Sequence, residues 1–512
     1  MKRSIREWLG LTKAKPVPAI TQQEISRAIQ FGRVWIPESE ATNHFGLIGT
    51  TGSGKTTIMR ILAQSVLPNI DRGDCRALFY DAKQDALPIL SSIVGLDKVV
   101  TLNPFDSRGR YWDLSADLDE PRVLEEFSYN LIPPVQESQP FFTEAARALL
   151  YAVMLSYFIS GYRYGFADVL RPLRDRNMLL QILKKHSATR HVAENYLSNP
   201  RLLSNLMPSV AVKIQPFESI AACWSHADAG ISLRDWSRKD YVLVLGNTEV
   251  SRHSIDSMNR CIFKRASDVT LNKEESLTSR TWFFLDELAD AGKLNGLVSL
   301  AKKGRSKGAC LVVAFQSISG LRDESLYGQC GCDELLGQIG TRFVGRLECI
   351  STADYVSNLI GEQKFVEKSY SYTSSKENSS TVSYSTQVRK AVLPSTLLDI
   401  MPCSLSNGLS GYCITRSVGT FKTKIDGKWL FNEQLKPADE SVPAFVPRPA
   451  MHQILEPWTE DEARRFGVDI HWRPKKKAAD IANSESGEEP AKRKKRRVKA
   501  TIPDDPLKEL FE

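Results

Sequence analysis

The sequence predicts an α/β protein: a mainly parallel sheet, an all-α insertion between two of its strands, and a disordered basic C-terminal tail. Three observations carry this. Short apolar, β-branched runs recur along the chain and are continuous rather than alternating, as strands buried on both faces require. Residues 49–56 read Gly-Thr-Thr-Gly-Ser-Gly-Lys-Thr, between a short apolar run and a helical stretch. A long segment between the earlier and later runs carries apolar residues that step by three and one, the spacing of a helical stripe.

The expected strands are Phe45–Ile48, Arg76–Asp81, Lys98–Asn103, Tyr241–Leu245, Trp282–Asp286, Cys310–Phe315 and Arg342–Arg346. A helix is expected over Lys55–Leu67, with Ile58, Ile61 and Leu62 on one side. The helical stripe is Phe142, Ala145, Ala146, Leu149, Leu150, Val153, Met154 and Tyr157, and it reads as core. These elements divide the chain into an N-terminal segment (1–44), a nucleotide domain in two parts (45–120 and 239–430), an all-α insertion (121–238), a Pro-rich connection (431–472) and the basic tail (473–512). Fourteen of the eighteen residues from Ser369 to Thr386 are Ser, Thr or Tyr, which predicts a mobile loop or a flat hairpin. Five prolines between Pro437 and Pro457 predict an extended connection.

Composition excludes several classes. With 512 residues, 42% apolar and 25% charged, the chain is ordinary globular protein, not a disordered, collagenous or disulfide-scaffold one. Its nine cysteines are scattered, and Cys330-Gly-Cys332 lacks a second ligand pair, so free thiols in a reducing cytosol are expected rather than zinc. No segment reads as membrane-spanning: the longest uncharged apolar stretch, Ala148–Gly161, has 14 residues. Ile5, Trp8 and Leu9 with nearby basic residues allow a short interfacial helix, though a frayed terminal helix is the plainer reading.

Gly49, Thr50, Thr51, Gly52, Ser53, Gly54, Lys55 and Thr56 fit the phosphate-loop pattern, with Thr57 following. Glycines let backbone N–H groups wrap an anion, and the following helix start adds partial positive charge. Lys55 is placed to reach β- and γ-phosphates, and the Thr56 hydroxyl to hold Mg²⁺. Trp282–Leu285 is an apolar run that ends in two acids, Asp286 and Glu287. Asp286 suits the Mg²⁺ shell, and Glu287 suits a general base that polarises water. The adjacent acids favour hydrolysis over mere binding, and the lack of an Asn-Lys-x-Asp motif favours ATP over GTP.

Two more positions draw notice. Gln316, 30 residues after Asp286, ends the next apolar run and could sense the γ-phosphate or position water. Arg305, 19 residues after Asp286, lies in Lys302-Lys303-Gly304-Arg305-Ser306-Lys307-Gly308. That turn reads first as solvated; alternatively, its arginine reaches a neighbouring subunit's nucleotide.

The phosphate loop resembles that of ring-forming DNA-pump ATPases of the FtsK/HerA kind. Tyr80-Asp81-Ala82-Lys83, Leu102-Asn103-Pro104-Phe105-Asp106, Thr143-Glu144-Ala145-Ala146-Arg147, Leu285-Asp286-Glu287-Leu288-Ala289, the Gly304–Gly308 turn and Ala314-Phe315-Gln316-Ser317 narrow the likeness to the TraD/TraG group of conjugative coupling proteins. The resemblance runs from about Phe45 to Ile425. It implies a RecA-like nucleotide domain, a homo-hexamer around a DNA channel, and ATP hydrolysis at subunit interfaces. It also implies that Arg305 is a trans-acting finger and Gln316 a γ-phosphate sensor. The insertion would receive a relaxase–DNA complex for a type IV secretion channel. The family's N-terminal transmembrane pair is not expected here, since only about 45 residues precede the phosphate loop. A cytoplasmic protein is therefore expected, either acting in the cytosol or docked peripherally at the inner membrane by a separate membrane subunit. Two other functions remain open: a cytosolic DNA pump for chromosome or repair work, and a recruitment platform in which ATP only stabilises the ring.

The net charge of +8 is mostly local, because residues 473–499 hold eleven basic and four acidic residues. Lys492-Arg493-Lys494-Lys495-Arg496-Arg497 suits sequence-blind DNA binding by counterion release. An anionic-lipid patch, a nuclear-import address and a solvated solubility tail are the other readings. Deleting the residues after Arg473 is expected to weaken DNA binding and flatten its salt dependence in a filter-binding titration. An unchanged slope counts against the tail as a DNA element.

Overall fold

The computed structural model describes residues 28–134, 140–373 and 379–471. The described residues up to Asp469 pack as one unit; the second unit, Ile470–Glu512, falls almost wholly outside the described residues. The expected helix around Trp8, the tip of the Ser/Thr/Tyr-rich stretch at 374–378 and the basic tail also lie outside them.

In chain order the strands are β1 (Ile29–Phe31), β2 (Val34–Ile36), β3 (Phe45–Ile48), β4 (Cys75–Asp81), β5 (Val99–Thr101), β6 (Tyr111–Trp112), β7 (Gly230–Ile231) and β8 (Val242–Gly246). They continue with β9 (Arg280–Leu285), β10 (Ala309–Phe315), β11 (Thr341–Val344), β12 (Glu362–Thr373), β13 (Ser379–Lys390), β14 (Leu409–Thr415) and β15 (Gly419–Ile425). Nine of them form one sheet in the order β15-β14-β11-β3-β10-β9-β4-β8-β5. From β11 to β5 each neighbouring pair is parallel. β14 and β15 add an antiparallel edge.

The continuous apolar runs have the cause expected of them. Every residue of β3, β8, β9, β10 and β11 is buried. On one face of the sheet, Phe45, Trp282, Phe284 and Phe79 form a chain of ring contacts 5.5–5.9 Å apart. Phe283 points to the other face and meets Trp236 and Phe263. Strand ends differ from expectation by a residue or two. β5 stops early because Asn103 Oδ1 accepts the Phe105 N–H at 3.1 Å and turns the chain. β9 stops at Leu285, so Asp286 and Glu287 leave the sheet. The Ser/Thr/Tyr-rich stretch lies in a long antiparallel hairpin, β12–β13.

α1 (Lys55–Val66) follows β3 and α2 (Ala86–Val94) follows β4. Between β5 and β8 the chain is mostly helical: α3 (Pro121–Leu131), α4 (Phe141–Ser160), α5 (Phe166–Arg174), α6 (Arg176–Leu183), α7 (Ser187–Leu197) and α8 (Pro200–Ser225). Helix α9 (Arg252–Leu271) follows β8 and carries Phe263. One expectation needs correction. Among the described residues α4 is long and apolar enough, by composition, to cross a membrane. Its apolar character extends back to Phe141 across Glu144 and Arg147, which a search for uncharged stretches cuts off. More than half of its apolar window is buried inside the protein, and α4 packs against α3, α5, α6, α7 and α8. The Pro-rich segment is anchored as well: Arg448 is buried and donates to the carbonyls of Pro104, Asp106, Gly109 and His226.

The helical excursion is closed at its base. β6 and β7 pair in parallel, Tyr111 with Gly230 and Trp112 with Ile231. Beside them Asp117, with no exposed surface, accepts four hydrogen bonds. They come from Trp112 Nε1 (2.6 Å), Ser232 Oγ (2.8 Å), Leu233 N (2.7 Å) and Arg234 N (3.0 Å). One carboxylate thus ties the chain entering the helices to the chain leaving them. Asp117→Ala would leave these donors buried and unpaired. A loss of roughly 3 kcal/mol or more is expected in urea unfolding. A loss under about 1 kcal/mol would show that the ribbon holds without the carboxylate.

Candidate active site

Parallel strands end on the same edge of their sheet. Here β11, β3, β10, β9 and β4 are consecutive neighbours, so the segments that follow them line up in that order. They are Gly345–Arg346, the Gly49–Thr56 loop, Gln316, Asp286–Glu287 and the turn at Asp81–Asp85.

The loop needs its glycines. Gly54 sits at φ 95°, and a Cβ there would lie 2.1 Å from Leu409 Cδ1. Gly49, at φ 159°, would meet Ser53 Oγ at 2.4 Å. Thr50 N donates to Arg346 O at 2.8 Å, and Cys403 N donates to Gly52 O at 2.8 Å. The segment before β14 thereby braces the loop from behind. Thr57 faces the same brace, its Oγ1 3.9 Å from Cys403 Sγ. Thr51 is exposed at the loop tip. Lys55 opens α1, is largely buried, and donates from Nζ to Gly49 O (2.7 Å) and Thr50 O (3.2 Å). Burial lowers its pKa, while the charges of Glu287 and Asp286 oppose that shift.

Thr56 Oγ1 donates to Asp286 Oδ1 at 3.0 Å, across 230 residues of chain. Lys83 joins the pair: its Nζ lies 3.2 Å from Asp286 Oδ2 and 3.3 Å from Thr56 Oγ1. Burial works against the Lys83 ammonium, but the charge and hydrogen bond of Asp286, together with the charges of Asp85 and Glu287, raise its pKa overall. Gln316 Nε2 donates to Glu287 Oε2 at 3.1 Å. Glu287 Oε1 is buried and has no hydrogen-bond partner among the described residues. Burial raises the Glu287 pKa; the Gln316 hydrogen bond and the Lys55 charge hold it back. A carboxylate with one oriented oxygen and one open oxygen is suited to accept a proton from water.

The donor set fits a nucleotide and Mg²⁺. The loop offers N–H groups at a helix start, and Lys55 lies within it. A hydroxyl and a carboxylate stand together, with an ammonium already bridging them as a cation would. Asp81, whose pKa burial pushes up to about 6, accepts from Asp85 N and Ala86 N and so fixes the turn that carries Lys83.

One expected site residue is elsewhere. Arg305 is exposed and lies before β10, at the opposite edge of the sheet, close to His44 at the start of β3. The seven residues of β10 span roughly 20 Å, so Arg305 does not reach the nucleotide loop of its own chain. Lys83, Arg346 and Cys403 were given no role by the sequence reading. Lys83 carried a usable signal, since it sits in a polar turn directly after a buried apolar strand, as Asp286 does. Cys403 carried none.

Residues 28–413 match the family described as the type IV secretion-system coupling protein DNA-binding domain. The chain belongs to that family. Coupling protein TraD of Escherichia coli (strain K12) is 25% identical to it over 369 residues, 67% of this chain and 47% of TraD. The chain thus spans about half the length of that curated relative. Among solved structures, the unbound monoclinic form of the bacterial conjugative coupling protein TrwBdeltaN70 superposes with a TM-score of 0.64 at 20% identity, over 82% of this chain and 91% of that one. TrwB in complex with ADP and Mg²⁺ gives 0.62 at 19% identity, over 84% and 96%. TrwB with the ATP analogue ADPNP gives the same values. The likeness establishes the RecA-like α/β fold, and the family match alone places this chain among the type IV secretion-system coupling proteins.

Proposed function

We propose that this chain is an ATP-driven DNA translocase that delivers DNA, or a relaxase–DNA complex, to a type IV secretion channel. The observation that carries the reading is the meeting of Lys55, Thr56, Asp286 and Glu287 at one sheet edge, in a family whose description names DNA binding. In this reading the loop N–H groups and Lys55 bind the phosphates of ATP. Thr56 and Asp286 hold Mg²⁺, which supplies charge neutralisation at the phosphates when bound. Glu287 takes a proton from the attacking water, and Gln316 orients Glu287. The remote position of Arg305 supports a role in the neighbouring subunit's site, hence a ring, here taken as a homo-hexamer. The protein works in the cytoplasm at the inner-membrane face, where the channel or a separate membrane subunit docks it.

Lys55→Ala and Arg305→Ala should each abolish DNA-stimulated ATP hydrolysis when pure. Mixed, they should regain activity, because one supplies sound nucleotide loops and the other sound arginines. Absence of recovery, with Arg305→Ala alone fully active, contradicts the trans assignment. Glu287→Gln should keep ATP binding and slow hydrolysis by about 100-fold or more.

The acid side of the pH profile tests the Gln316–Glu287 pair. Glu287 must be ionised to act, so its contribution is present above its pKa and lost as pH falls through it. The Gln316 hydrogen bond holds that pKa down. Gln316→Leu should therefore move the acid limb of kcat to higher pH. An unmoved limb would show that another group sets it.

A further inference from the structure

Asp286 is a nearly buried carboxylate, and it faces a cation in this structure. That cation is Lys83, whose Nζ bridges Asp286 Oδ2 at 3.2 Å and Thr56 Oγ1 at 3.3 Å. These are the two groups assigned above to Mg²⁺. Mg²⁺ demands oxygen ligands at close to 2.1 Å in octahedral array, so an ammonium on the same two oxygens occupies its place.

The backbone beneath Lys83 is built to present it. Gln84 takes a left-handed conformation, φ 58°, that few residues adopt without cause. Its side chain bonds to the Asn247 carbonyl beyond β8. Asp81 ties down the backbone N–H groups of Asp85 and Ala86. The turn is fixed on both sides of Lys83, while the lysine side chain is half-exposed and has room to leave.

We propose that Lys83 is a resident substitute for the metal: its ammonium holds Thr56 and Asp286 in register between nucleotides and is exchanged for Mg²⁺ when nucleotide loads. The exchange keeps a buried carboxylate paired at every stage, since an unpaired one is costly. It also makes metal binding depend on nucleotide, because Mg²⁺ alone must evict an ammonium without gaining phosphate oxygens. The proposal rests on the Mg²⁺–nucleotide reading of the same site. Lys83 acts as a positioning residue, not a catalytic one.

Two measurements on the full chain test it. The first follows Mn²⁺ alone, without nucleotide, by electron paramagnetic resonance. Lys83→Met should bind Mn²⁺ about tenfold or more tightly than the native protein, and Lys83→Arg should not. Lys83→Gln stands in if the methionine variant does not fold. The second follows amine labelling at Lys83 by mass spectrometry, before and after ADP with Mg²⁺. Labelling should rise on loading, as the ammonium is released. Equal Mn²⁺ affinity in native and Lys83→Met, or labelling that stays level or falls while ADP·Mg²⁺ is bound, overturns the exchange. Failure of the native protein to bind ADP·Mg²⁺ at all overturns instead the reading on which it rests.

Discussion

Everything at the site depends on parallel strands ending together. Thr56 and Asp286 are separated by 230 residues, yet a single 3.0 Å hydrogen bond joins them. Neither residue could be held there by its own loop. β3 and β9 flank β10, all three run the same way, and their apolar residues are wholly buried. The ring contacts among Phe45, Trp282 and Phe284 lock their spacing. Packing far from the chemistry thus sets the position of the acids against the phosphate loop.

Parallel order also separates tasks by edge. Groups after the strands gather around the Gly49–Thr56 loop; groups before them, such as Arg305, lie at the opposite edge. Under the function proposed above, such a chain would hold most of one active site and contribute Arg305 to a neighbour's. The helical insertion lies between β5 and β8. It springs from the β6–β7 ribbon clamped by Asp117, and the Lys83 turn is tied to the residue after β8 through Gln84. The Lys83 turn is thereby linked to the end of β8, the strand that follows the helices.

The strands and both acidic and phosphate segments were legible in the sequence because burial on both faces leaves an unmistakable apolar run. Strand order was not, since β3 and β10 pair across more than 250 residues and no local pattern encodes that. The antiparallel strand β14, next to the edge strand β15, alternates buried and half-buried residues, so it leaves no continuous apolar run. α4 was under-read because Glu144 and Arg147 interrupt its charge-free stretch, although both belong to the same helix. Asp117 and Cys403 are single residues whose meaning comes only from what surrounds them. Lys83 stood in a recognisable polar turn, but its cationic role appears only when Asp286 is seen beside it.

The central claim is that Thr56 and Asp286 serve one bound metal–nucleotide unit. A double-mutant cycle on Mg²⁺-dependent ATP-analogue binding, with Thr56→Val, Asp286→Asn and the pair, measures this directly. Strongly non-additive losses are expected, with a coupling of roughly 1 kcal/mol or more. Losses that simply add would contradict the claim.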